Sequence, residues 1–195
     1  MSISISAAVE GDVDEAVLRR LLGRSLGHVY GKKGKAALRK KVAGYNNAAR
    51  FQPWILLVDL DHDFDCAPAL LQEWLPEMAC FMFFRVAVRE IESWILADRE
   101  RIAAFLDVKE SQIYADTDSL QSPKETIVNL ATQSRRREIR EDMVPRPQSG
   151  RLVGPAYNSR IIEFVGKSWR PEMAERCSKS LRSCRAAIAQ LLNST

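Results

Sequence analysis

Five consecutive apolar residues, Trp54-Ile-Leu-Leu-Val58, run without alternation into Asp59-Leu-Asp61-His-Asp63-Phe-Asp65. A strand with no polar face has to be covered on both sides, the condition of a strand inside a parallel sheet. Its abrupt end places carboxylates at the carboxyl edge of that sheet, where ligands bind in open α/β folds. The flanking sequence fits. Ile3, Ile5, Ala7 and Val9 form a first strand, and Val13, Val17, Leu18, Leu21 and Leu22 recur at helical spacing over 12–24. A second strand is expected near 27–30 and a basic helix over 35–49, which Pro53 ends. Pro68 opens a helix over 67–77, and a fourth strand covers 80–88. The order βαβαβαβ implies an α/β protein with a mostly parallel four-stranded sheet flanked by helices.

Beyond Arg89 the pattern is helical. One long helix is expected over 91–106, broken near Asp107, followed by helices over 123–134, 157–166 and 171–192 with a Pro-, Gly- and Arg-rich loop at 145–151. This divides the chain into an α/β part, 1–108, and a basic helical extension, 109–195, packed on it. Residues 1–122 carry 15 basic and 18 acidic side chains, and residues 123–195 carry 14 and 7, so the total of +4 conceals a change of sign. An acidic part joined to a basic part suits a metal site beside a phosphate-binding surface. Solvated helix faces explain the same distribution equally well.

No apolar stretch approaches the ~20 residues needed to cross a bilayer, so no membrane association is expected. The N-terminus lacks a basic leader, and a cytoplasmic location follows as the expectation. The four cysteines, Cys66, Cys80, Cys177 and Cys184, form no CxxC pair and are read as reduced thiols.

Aspartates at alternate positions repel one another unless a cation lies among them, and Asp59 and Asp61 stand directly at the strand end. Mg²⁺ or Mn²⁺, hard ions that take oxygen ligands, are the economical remedy. The other strand-end acid is Glu10, in Val9-Glu-Gly-Asp-Val-Asp14, where Gly11 permits a tight turn and Asp14 follows four residues after Glu10. Asp14 either faces the same ion as Glu10 or caps the helix.

A Glu-Gly turn after strand one and an Asp-x-Asp after strand three resemble the two motifs of the Toprim domain. Glu10 to Asp14 is similar to the opening motif in OLD-type nucleases, and Val58-Asp59-Leu60-Asp61 to the second. The segments Arg89 to Asp98 and Val153 to Tyr157 also resemble uncharacterised bacterial Toprim-like proteins associated with phage defence. This resemblance implies that Glu10, Asp14, Asp59 and Asp61 hold divalent metal and that Glu10, Asp59 and Asp61 are catalytic. It implies hydrolysis of phosphodiesters in DNA or RNA, with a partner protein of a defence system such as an ATPase. OLD-type nucleases also use a late lysine, for which the sequence identifies no counterpart.

Several residues carry two readings. Glu92 is an additional acid of the site or a helix-start carboxylate. Lys35 steers water, contacts phosphate or belongs to an exposed basic turn. Arg135, Arg136, Arg137 and Arg151 grip a nucleic-acid backbone or are a solvated charge run. Two further functions compete with the nuclease: a non-catalytic binding or regulatory subunit, and a phosphatase. The second is suggested by the likeness of Asp59-Leu-Asp61 to a haloacid-dehalogenase motif, which normally follows the first strand.

Overall fold

The computed structural model describes residues 4–193. Ile3, read above as part of the first strand, lies outside the described residues. The chain runs β1 (Ile5–Val9), α1 (Asp12–Leu22), β2 (Leu26–Gly31), α2 (Lys35–Arg39), α3 (Val42–Ala48), β3 (Trp54–Asp59), α4 (Ala67–Trp74) and β4 (Met82–Ala87). The helical remainder is α5 (Glu92–Leu96), α6 (Arg99–Leu106), α7 (Pro123–Thr132), α8 (Arg137–Met143), α9 (Tyr157–Lys167), α10 (Pro171–Ala174) and α11 (Lys179–Asn193). The sheet is entirely parallel, in the order β2-β1-β3-β4. It is an α/β, Rossmann-like architecture with a helical C-terminal part.

The unalternating run of β3 is explained by the two faces it serves. Ile55 and Leu57 join Ile5, Ala7 and Val9 in one core with α1, α5 and the later helices. Trp54, Leu56 and Val58 join Ala8, Met82 and Phe84 in a second core beneath α2, α3 and α4. The first core continues through Ile127, Tyr157, Phe164, Trp169 and Leu181, so the later helices complete the face that α1 begins.

The structure divides three helices that periodicity alone joins. The basic helix breaks between α2 and α3, where the Lys41 N–H donates to the Leu38 carbonyl at 2.9 Å in a tightened turn. The helix after β4 breaks at the buried Asp98, whose carboxylate accepts the Arg170 backbone N–H at 2.8 Å and its guanidinium at 2.6 Å. The last helix breaks before Ser178, whose hydroxyl donates to Asp118 at 2.7 Å and accepts the Leu181 N–H at 3.1 Å. In each of the last two cases a polar side chain turns to a partner 72 or 60 residues away, which no local pattern encodes. The helix α8 was not anticipated: its charged sequence, Arg-Glu-Ile-Arg-Glu-Asp-Met, buries only Ile139 and Met143. Among the described residues no helix is long and apolar enough to cross a membrane.

Candidate functional site

Parallel strands bring the ends of β1 and β3 side by side, so Glu10 and Asp59 meet although 49 residues separate them. The Glu10 carboxylate accepts the Asp59 backbone N–H at 2.9 Å. The loop after β2 folds over the same edge: the Lys32 N–H donates to the Val9 carbonyl at 2.9 Å and the Gly34 N–H to the Glu10 carbonyl at 3.0 Å. Gly31 permits this approach, since at its φ of +93° a side chain is strained and a Cβ would lie 2.2 Å from the Val9 oxygen.

Asp14 caps α1, as one of its two readings expects. One carboxylate oxygen accepts the Gly11 N–H at 2.7 Å, capping α1, while the other is buried with no hydrogen-bond partner. The chain bends at Glu10 and Gly11, with Gly11 in extended backbone, φ −150°, so the bend does not draw on glycine's left-handed conformations. A Cβ there would lie 3.4 Å from the Asp14 carboxylate, and the small residue instead admits that carboxylate beside the backbone.

Glu92 enters from the first turn of α5 and is 1% exposed. The Tyr157 hydroxyl donates to it at 3.4 Å from α9. Lys124, at the start of α7, lies 3.5 Å from Glu92 and 3.7 Å from Glu90. The Lys124 backbone N–H donates to the other Glu90 oxygen at 2.7 Å, so Glu90 anchors α7 and thereby aims the lysine.

Glu10, Asp14, Asp59 and Glu92 form one electrostatic cluster. Burial, opposed by the Asp59 N–H and by Lys35, pushes the Glu10 carboxyl up to about 7. Burial and the Glu10 charge bring Asp14 to about 7 as well. Asp59 is raised well above the carboxylate range by burial and by the neighbouring Asp14, Glu92 and Glu10, and Glu92 is raised by burial against the pull of Lys124. Burial lowers the Lys124 pKa, but Glu92, Glu90 and Asp59 outweigh it and hold the ammonium charged. Three buried carboxylate oxygens, one each on Asp14, Asp59 and Glu92, accept no hydrogen bond. Among the described residues no three His, Cys, Asp or Glu side chains already converge as a metal-ligand set.

Asp61 stands apart from these four. The Asp61 N–H donates to the Arg89 carbonyl at 2.7 Å, and the Arg89 guanidinium returns a bond to the Asp61 carbonyl at 2.7 Å. Both residues have left-handed backbone, φ 52° and 61°. The Asp61 carboxylate turns to Lys35, 2.8 Å away, and Asp63 shares that lysine at 2.9 Å. Lys35 therefore neutralises the outer acids of the Asp-x-Asp run.

The expected arginines are differently placed. Arg136 pairs with Glu138 at 2.8 Å and reaches the Phe105 carbonyl, and Arg137 pairs with Glu141 at 2.7 Å, both in ordinary surface contacts. Arg135 and Arg151 are exposed and form no ion pair among the described residues. Sequence reasoning missed Lys124, Glu90 and Tyr157. A faint signal for Lys124 existed in Ser122-Pro-Lys124, a helix start with a cation where an acid is favoured. Comparison with protein-family models, with curated proteins and with solved structures finds no match to this chain.

Proposed function

We propose that the chain is a divalent-metal-dependent hydrolase of nucleic-acid phosphodiesters with a Toprim-like site, acting in the cytoplasm. The observation that carries this reading is the set of three buried carboxylate oxygens without donors, on Asp14, Asp59 and Glu92, with the charged Lys124 3.5 Å from the other Glu92 oxygen. A buried acceptor left unsatisfied is costly, and hard cations take such oxygens as ligands. Asp14, Asp59 and Glu10 would hold Mg²⁺ or Mn²⁺, with Glu92 adjoining and Asp61 at the rim. The metal, when bound, polarises the phosphodiester and lowers the pKa of bound water.

The remaining work falls to the chain's own residues. The Asp59 N–H orients Glu10, and the Gly11 N–H orients Asp14, so two carboxylates are held before any ligand arrives. Tyr157 and Lys124 hold Glu92 from the opposite side. Lys124 keeps its charge and offsets the negative charge that develops on a departing oxygen.

The test incubates wild type, Asp59→Asn and Lys124→Met with labelled single-stranded and duplex DNA and RNA, in Mg²⁺, Mn²⁺ and EDTA. Wild type is expected to cleave with either metal and not in EDTA. Each substitution should lower the rate by roughly 100-fold or more, the scale of removing a charge-stabilising group. Cleavage in EDTA, or undiminished cleavage by Asp59→Asn, overturns the proposal.

A further inference from the structure

Beside Lys124 the surface opens into a cavity of about 410 Å³ that runs to the loop between α8 and α9, with the carboxylates of Glu90 and Glu125 also in its lining. This is at the small end of the roughly 300–1,000 Å³ of small-molecule pockets. Lys124 and Arg151 supply two cations to its lining. Arg151 also lines a second cavity, with Arg146, so the cations continue outward from the site as Lys124, Arg151 and Arg146. Neither arginine has an ion-pair partner among the described residues, whereas Arg136, Arg137, Arg160, Arg170 and Arg185 do. Two unpaired arginines beyond the ion-paired Lys124 suit a polyanionic backbone.

The rest of the lining has a different chemistry. Val128, Pro145 and Leu152 are its apolar walls, and Leu152 is 87% exposed, a large apolar side chain with nothing of this protein to cover it. Asn129, on the exposed side of α7, presents a side-chain amide that makes no hydrogen bond among the described residues. An amide offers a donor and an acceptor together, which matches the hydrogen-bonding edge of a base. Pockets that receive an unpaired base combine these elements: apolar side chains against its ring and a polar group at its edge. The loop that carries Leu152 is anchored, since the Gly154 N–H donates to the Met143 carbonyl at 3.0 Å and the Ala156 N–H to the Asp142 carbonyl at 2.9 Å.

We propose that this cavity receives one unpaired nucleotide of the substrate, its phosphate between Lys124 and Arg151 and its base between the apolar walls with its edge toward Asn129. The substrate class is then single-stranded nucleic acid. A paired base has its Watson–Crick edge occupied by its partner and is held in the stack, so it cannot enter the cavity. The inference rests on the phosphodiester reading of the carboxylate cluster, and its test separates the two.

Binding is measured on the Asp59→Asn protein, so that no cleavage intervenes, by fluorescence anisotropy of a labelled single-stranded oligonucleotide and of its duplex. The single strand should bind at least about tenfold more tightly, and AMP, CMP, GMP and UMP should compete with it. Arg151→Glu should weaken single-strand binding about tenfold or more. Asn129→Ala should alter the ranking of the four monophosphates. Both changes lie at exposed positions, and unchanged melting temperatures will show that the fold survives them. Equal affinity for duplex and single strand, or binding indifferent to both substitutions, overturns the inference. Selective binding without metal-dependent cleavage by wild type supports the nucleotide cavity and removes the hydrolase reading. Metal-dependent cleavage of duplex and single strands at equal rates, insensitive to Arg151→Glu, supports the hydrolase and removes the nucleotide cavity.

Discussion

At the scale of single residues, the carboxylate cluster is where the fold is held against its own preference. Glu10 and Asp14 have ordinary pKa values of 4.5 and 3.8 and are pushed to about 7 in the folded protein, so folding favours their protonated forms. The sign follows from linkage: the native state binds protons more tightly than the unfolded chain. The stability that Glu10 and Asp14 contribute in the absence of metal is therefore full below about pH 4 and is lost as pH rises through about 7. The loss is on the order of a few kcal/mol, shared between coupled groups. Urea unfolding in EDTA at pH 5, 6, 7 and 8 measures it, and stability that rises across this range would contradict the assignment. Mg²⁺ should restore more stability at pH 8 than at pH 5, because it competes with protons for the same oxygens. The four acids were legible as residue types from Glu10, Asp14, Asp59 and Glu92 alone. Their division from Asp61 was not, since it depends on Lys35 reaching Asp61 and Asp63 from another loop.

Elements place these residues, and the contacts between elements are tight. Gly154 lies against the end of α8, where an added Cβ would meet the Asp142 oxygen at 2.4 Å, the Met143 carbonyl carbon at 2.5 Å and the Val144 nitrogen at 2.7 Å. All three are backbone atoms, which cannot rotate aside. Gly154→Ala should cost about 1–3 kcal/mol, the range for overpacking a fitted site. It should also release the loop bearing Arg151 and Leu152, seen as faster amide exchange across 146–153. Unchanged stability in thermal denaturation would show that the loop is not seated as described. The strands were readable because β1 and β3 are short, apolar and followed by acids. The breaks at Asp98 and Ser178 were not, because Arg170 and Asp118 are distant in sequence and override local helical periodicity.

For the whole molecule, the core that begins with Ile5, Val17 and Leu18 continues through Phe164, Trp169 and Leu181. The Trp169 indole N–H donates to the Trp94 carbonyl at 3.1 Å, and the Trp94 indole N–H donates to Ser180 at 2.7 Å. Removing residues 109–195 would expose that face of α1 and α5 and strip Glu92 of both Lys124 and Tyr157. A chain of residues 1–108 should therefore show no cooperative thermal transition, whereas the full chain should; circular dichroism at 222 nm distinguishes them. A cooperative transition in the short chain would show that the α/β part carries a sufficient core of its own.

The α/β class and the strands that end in Glu10 and Asp59 are legible along the chain, and the meeting of those ends follows once the strands are parallel neighbours. They follow from apolar runs, helical periodicity and the rule that parallel strands present their carboxyl ends on one edge. The cation of the site is of another kind. Lys124 reaches Glu92 only because Glu90 caps α7 and the later helices close over α1 and α5, a meeting produced by packing between segments distant in sequence. A single sequence records which residues are near each other along the chain; hydrophobic burial of two half-cores against each other settles which are near in space.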